Sequence, residues 1–274
     1  MHIDLKGVQV PTIGFGTWTL RGRLCTDAVH MALDIGYRHI DTARMYENES
    51  DVGRAVTDSD VDRGEVFITT KIWPDDLAYA DVKVCADDSL RNLGTDYIDL
   101  LLIHWPSKSI PLNETLKAFE EVKEAGKARL IGVSNFNTAL MTEAVEECGA
   151  DIACNQVEYH PFLPQNRVLG LARDFGMMLT AYMPLAKGKV AQHPTLIEIA
   201  ENHDKTAAQV ALRWLIQQGP IAAIPKAQGE LHCRENFDVF DFELSSAEMA
   251  QVLALTATND RIADFSLGPV WDQP

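Results

Sequence analysis

The sequence contains eight short runs rich in β-branched and apolar residues: VQVPTIGFG, YRHID, EVFITTK, YIDLLLIH, ARLIGVS, DIACNQV, MMLTAY and PIAAIPK. Each precedes a segment with helical spacing or a helix-capping residue. Strand–helix alternation carried through a whole chain forces a parallel sheet, because successive parallel strands need a crossover that a helix supplies. Runs such as YIDLLLI are apolar without alternation, as strands covered on both faces must be. Eight such units with no Pro/Gly/Ser-rich linker, no break in composition and no shorter repeat predict a single (β/α)8 TIM barrel over residues 1–274. The helix signals between strands are Thr26 before DAVHMALDIG with Gly36 behind it, Asn113 before ETLKAFEEVKEAG with Gly126, and Ser245 before SAEMAQVLAL.

A polar residue stands at the C-terminal end of nearly every run: Asp41, Lys71, His104, Ser134 with Asn135, Gln156, Tyr182 and Lys226. Taken singly, each has an ordinary structural use. Asp41 or Ser134 could cap a helix, Lys71 could snorkel to the rim, and His104 could bond a backbone carbonyl in the core. In a barrel of this kind, however, the C-terminal rim is where reactive groups converge, so the recurrence predicts one shared pocket.

Composition narrows the chemistry. A formal charge of −16 repels phosphate backbones and anionic membrane surfaces, which makes nucleic acid and membrane poor partners and leaves any anionic ligand to a few local cations. Cys25, Cys85, Cys148, Cys154 and Cys233 show neither C-x-x-C spacing nor a nearby histidine pair, so neither a metal nor a disulfide framework is predicted. The N-terminus MHIDLKGVQV lacks a basic segment leading into an apolar one, and the expected location is cytoplasmic.

Suppose Asp41, Tyr46, Lys71 and His104 meet on the rim, with Tyr46 carried in by the loop after YRHID. A phenol of ordinary pKa about 10 is a weak acid near neutrality. An ammonium at ~4 Å in an effective dielectric of about 20 would stabilise the phenolate by roughly 4 kcal/mol, about three pKa units, and so bring Tyr46 toward the operating pH of a general acid. Asp41 would keep the buried lysine charged. His104 would donate a hydrogen bond to a substrate carbonyl oxygen and orient it. A carbonyl between two donors is primed for a nucleophile, and a hydride from a bound cofactor suffices. Ser134, Asn135 and Gln156 can hydrogen-bond a nicotinamide carboxamide, Tyr182 offers a flat face for stacking, and Lys226 and Arg234 can hold phosphate.

The blocks HIDTARMYENE, FITTKIW, DLLLIHWP, IGVSNF, NQVEYHP and IPKAQGELHCRENF, in that order, resemble the signature blocks of the aldo-keto reductase superfamily across almost the entire chain. The tail DRIADFSLGPVWD is similar to those of bacterial 2,5-diketo-D-gluconate and methylglyoxal reductases. The resemblance implies NADPH-dependent reduction of aldehydes and ketones to alcohols by a monomer, with Asp41, Tyr46, Lys71 and His104 as catalytic tetrad and Tyr46 as the acid. It further implies that Gly16 and Thr17 lie close to the cofactor, that Leu185, Lys187 and Gly188 run along the pyrophosphate, and that Glu235 and Asn236 meet the adenine. Members that prefer NADPH usually carry Lys-Ser and an arginine six positions after the lysine. This chain keeps Lys226 but has Ala227 and His232 at the other two places, so NADH is expected to be used as well. Trp18, Trp73, Trp105 and Phe162 are expected to make a dry mouth for a small-molecule carbonyl.

Three other readings compete. YADVK has the Tyr-x-x-x-Lys spacing of short-chain dehydrogenases, although GFGTWT lacks the third glycine of a dinucleotide fingerprint. Lys71 could instead form a Schiff base in an aldolase, or the barrel could hold a cofactor without turnover.

Overall fold

A computed structural model describes residues 1–273. An N-terminal hairpin, β1 (His2–Leu5) and β2 (Val8–Pro11), precedes eight parallel strands: β3 (Phe15–Gly16), β4 (His39–Asp41), β5 (Phe67–Ile72), β6 (Ile98–Ile103), β7 (Ala128–Ser134), β8 (Cys154–Glu158), β9 (Met178–Tyr182) and β10 (Ile221–Ala223). Between and after them lie α1 (Gly22–Ile35), α2 (Glu49–Asp58), α3 (Tyr79–Leu93), α4 (Leu112–Glu124), α5 (Thr138–Thr142), α6 (Asn166–Asp174), α7 (Pro194–Glu201), α8 (Ala207–Gln217), α9 (Glu230–Phe237) and α10 (Ser246–Leu255). Each strand pairs with the next from β3 to β10. The first and last meet through Gly14 N–H to the Ala223 carbonyl at 2.9 Å, Ala223 N–H to Thr12 at 2.8 Å and Gly16 N–H to Pro225 at 3.1 Å. The sheet is thus closed into a (β/α)8 barrel.

The expected first strand is divided. VQVP forms β2 of the hairpin, and only Phe15 and Gly16 pair in the barrel. The reason is visible in the packing: Leu5, Val8 and Val10 cluster with Phe67, Leu100, Leu102, Leu130, Cys154 and Met178, so the hairpin plugs the barrel from below. Alternate residues such as Ile68, Leu101, Ile103, Ile131 and Val157 belong instead to the larger cluster beneath the helices. This period of two sorts every strand into inward and outward sets. Counting upward from Phe67 brings Thr69 and Lys71 inward, and from Leu102 it brings His104. From Leu130 it reaches Gly132 and Ser134, and from Cys154 it reaches Gln156 and Glu158.

Two helix starts differ from expectation. α1 begins at Gly22, whose N–H is capped by Asp51 Oδ2 at 2.7 Å, and Thr26 lies inside the helix. α4 begins after Pro111 rather than Asn113. Ser245 does cap α10, in a reciprocal box with Glu248.

Gly132 is pressed between neighbours on both sides: a Cβ there would lie 2.6 Å from the Cys154 carbonyl oxygen and 2.7 Å from Leu102 Cδ2. Gly132→Ala is therefore expected to lower the melting temperature by about 5 °C, since overpacking costs about 1–3 kcal/mol and each is worth about 2–4 °C at this size. A melt that superposes on wild type would show that the strands part more easily than this packing implies.

His39, inward at the base of β4, sits between the Pro11 carbonyl (Nδ1, 3.2 Å) and Thr69 Oγ1 (Nε2, 3.1 Å). Burial pushes its imidazole below the ordinary range. The unfolded chain takes up a proton near pH 6.5 while the folded one does not, so this contribution to stability is intact above about pH 6.5 and is lost as pH falls below it. Thermal melts between pH 7.5 and 5 should show a shallower decline for His39→Gln than for wild type; equal slopes would count against a neutral His39.

Candidate active site

Period-two alternation brings Asp41, Lys71 and Gln156 to one level at the upper end of the barrel. Lys71 has no exposed surface. Its ammonium donates to Asp41 Oδ1 at 2.6 Å, to the Thr42 carbonyl at 2.7 Å and, more weakly, to the Tyr46 hydroxyl at 3.4 Å. Asp41 uses its second oxygen to accept from Gln156 Nε2 at 2.7 Å. Burial pulls the lysine below its usual range, and Asp41 opposes that pull.

Tyr46 arrives on a short turn, Arg44–Tyr46, that leaves β4. Asn48 fixes the turn: its amide donates to the Thr17 and Leu20 carbonyls at 3.1 and 2.9 Å, and its oxygen accepts from Thr42 Oγ1 at 2.5 Å. The ring of Tyr46 meets Trp18 edge-on at 4.8 Å and His104 at 5.6 Å, and Trp73 meets His104 at 5.1 Å. The expected lowering of the Tyr46 pKa is not found. Burial, and then the Asp41 carboxylate, push the phenol well above its ordinary range, because a charge in this site would be poorly solvated and close to an anion. Burial and the nearby Lys71 push His104 well below its own range, so its imidazole is neutral. Its buried Nδ1 has no hydrogen-bond partner.

A second network flanks the first. Tyr182 donates to Asn135 Oδ1 at 2.7 Å. Asn135, at φ 63°, donates to the His104 carbonyl at 3.0 Å and to Ser134 Oγ at 3.1 Å. Ser134 donates to the Gln156 carbonyl at 2.8 Å. The left-handed backbone at Asn135 turns its amide back toward the strand ends. After β9 the chain is left-handed at Met183, Ala186, Lys187 and Gly188, with Ala186 and Val190 buried as anchors and Lys187 exposed. Gly16 and Thr17 lie at the end of β3, with Thr17 N–H and Oγ1 both on the Asp41 carbonyl at 3.0 and 2.9 Å.

Beyond β10, Lys226 donates to Thr19 Oγ1 at 2.8 Å. On α9, Arg234 is held by Glu230 through Nε at 2.9 Å and Nη2 at 2.7 Å, and the His232 ring meets Glu235 at 3.0 Å. Asn236 is buried. Of the aromatic residues expected at the mouth, Trp18 (44% exposed) and Trp73 stand beside Tyr46 and His104. Trp105 lies under the C-terminal tail, edge-on to Phe265 and Trp271, and Phe162 packs on the rings of His160 and His193. Leu185 packs against the main core.

Two features were not legible in the sequence. Asn48 is one. The other is Glu158, wholly buried at the end of β8, which accepts from His160 Nε2 at 2.9 Å and from the N–H groups of Ile262 and Ala263 at 2.7 and 2.6 Å. Burial works to raise this carboxyl, but its donors hold it below the usual range. The tail is thereby tied to the barrel before it crosses Trp105. YADVK proves to be an outer surface feature: Tyr79 and Lys83 on α3 both bond Glu121 on α4, at 2.5 and 2.6 Å.

The sequence profile of the Aldo/keto reductase family matches residues 12–257. The chain belongs to that family. It is 41% identical over 251 residues to a glyoxal reductase of Bacillus subtilis, covering 91% of this chain and 90% of that protein. It is 38% identical over 268 residues to the methylglyoxal reductase DkgB of Yersinia pestis, covering 97% and 100%. Among solved structures, a protein put forward as a 2,5-diketo-D-gluconic acid reductase B superposes with a TM-score of 0.96 at 46% identity, covering 99% of this chain and 97% of that one. As an aldo/keto reductase the chain is an oxidoreductase, and these relatives support carbonyl reduction as its chemistry. No helix among the described residues is long and apolar enough to cross a membrane.

Proposed function

We propose that this protein reduces small or sugar-derived aldehydes and ketones to alcohols with NADPH, and with NADH as a second donor, using Tyr46 as general acid. The observation that carries the reading is the buried Asp41–Lys71 pair with Lys71 reaching the Tyr46 hydroxyl and a neutral His104 facing the same ring. The donor set fits a nicotinamide: Ser134, Asn135 and Gln156 offer the mixed donors and acceptors that a primary carboxamide requires, and the half-buried Tyr182 offers a flat face. When bound, the reduced dinucleotide supplies the hydride.

Tyr46 and His104 hold the substrate oxygen between a phenol O–H and an imidazole N–H, which draws charge off the carbonyl carbon. A phenol held well above its ordinary range keeps its proton until the oxygen it faces becomes an alkoxide, a far stronger base. At that point the proton passes from Tyr46 to the alkoxide oxygen, which becomes the alcohol, and Lys71, 3.4 Å away, faces the phenolate left behind until solvent restores it. Because Lys71 is engaged by three oxygens, its nitrogen serves this role better than attack on a carbonyl. Trp18 and Trp73 shield the reacting atoms from water.

Mixing the purified protein with either reduced dinucleotide and a panel of aldehydes, methylglyoxal and diketo-sugar acids included, tests the reading. Loss of the reduced-nicotinamide absorbance is expected, and a panel with no turnover overturns it. The ratio of kcat/KM for NADPH over NADH should stay below roughly a thousandfold, about 4 kcal/mol, and His232→Arg should raise it. A wild-type ratio above that bound would show that Lys226 and Arg234 suffice without the missing serine and arginine.

A further inference from the structure

We propose that Glu230 sets the dinucleotide preference of this chain, lowering its affinity for a 2′-phosphate by occupying the guanidinium of Arg234; this rests on the cofactor reading above. Three basic side chains stand where the resemblance places a 2′-phosphate, and each already has an oxygen partner within the protein. Lys226 is on Thr19 Oγ1, His232 is on Glu235, and Arg234 gives both Nε and Nη2 to one Glu230 oxygen.

The first of these is a neutral hydroxyl that a phosphate displaces readily. The other two are carboxylates. Glu230 is the first residue of α9, one turn before Arg234, and the two side chains are 62% and 59% exposed. They therefore meet at the surface, where an incoming ligand competes for the same N–H groups.

A phosphate dianion has to break both N–H contacts to that one oxygen and then tolerate a carboxylate beside it, in a chain that already carries −16. A ribose 2′-hydroxyl meets no such opposition, since it can donate a hydrogen bond to the carboxylate. The free N–H groups of the first turn of α9 would otherwise favour an anion, and Glu230 supplies that negative charge from within. Ala227 and His232 remove attractions for the phosphate, whereas Glu230 adds a repulsion, and selectivity built on repulsion is lifted by a single neutral substitution.

Dissociation constants for NADPH and NADH, read from quenching of tryptophan fluorescence, test this in wild type, Glu230→Gln, Arg234→Ala and the double variant. Glu230→Gln should tighten NADPH about tenfold and change NADH by less than about twofold. Arg234→Ala alone should cost little NADPH affinity, and in the Glu230→Gln background it should erase the gain. A pair serving only the helix would move the melting temperature of the variants and leave the NADPH/NADH ratio alone. An unmoved ratio in Glu230→Gln, or a gain that survives loss of Arg234, overturns the proposal. A wild type that binds neither dinucleotide overturns the cofactor reading itself and this proposal with it, so the two failures are told apart.

Discussion

Tyr46→Phe is expected to lower kcat for carbonyl reduction by about a thousandfold while leaving dinucleotide affinity near the wild-type value. The hydroxyl is the only atom removed. Its contact with Lys71 is the longest of the three that the ammonium makes, at 3.4 Å, so the Asp41 and Thr42 contacts keep Lys71 satisfied and the fold intact. The ring still packs on Trp18 and His104. What is lost is the proton that the developing alkoxide requires, and no other acidic O–H has been placed beside that oxygen. Single-turnover absorbance with saturating cofactor, together with fluorescence titration of the dinucleotide, separates the two quantities. Undiminished turnover would end the assignment of Tyr46 as the acid.

Removing the charge of Asp41 should do more damage to the fold than any other single change at the site. In Asp41→Asn the lysine keeps its position but loses its counter-ion in a place with no exposed surface. Breaking one side of a buried pair costs about 3–5 kcal/mol, or about 10 °C in melting temperature at this size. Desolvation already pulls Lys71 downward, and without the carboxylate it has less to resist with. Adding Lys71→Met removes the stranded charge, so the double variant should regain most of the lost stability and none of the activity. Thermal melts of the four proteins measure this, and a double variant no more stable than Asp41→Asn would show that the cost lies elsewhere than in an unpaired ammonium.

The barrel and the level at which these polar side chains gather were legible in the sequence because both follow from local periodicity. Strand–helix alternation dictates parallel strands, and period two carries Lys71, His104 and Gln156 to the same inner rim as Asp41 from wholly separate runs. What local pattern cannot supply is environment. The sign of the Tyr46 shift depends on how much water the assembled pocket excludes, and there burial outweighs the neighbouring lysine. Thr26 read as a cap because the residue that caps α1, Asp51, comes from another helix. Nothing in VQVP distinguishes a barrel strand from a plug whose partners are Phe67 and Leu100, far along the chain. Nor does local pattern supply the rings that Trp105 and Phe162 meet, since Phe265, Trp271 and His193 come from segments far along the chain.

The way Glu158 holds the tail bears on which substitutions that anchor can absorb. Its carboxylate grips the main chain at Ile262 and Ala263 rather than any side chain there. Every amino acid except proline carries the N–H it needs. The anchor therefore survives exchange of the side chains at Ile262 and Ala263 for any residue but proline, and the tail's entry onto the barrel is fixed by its main chain alone.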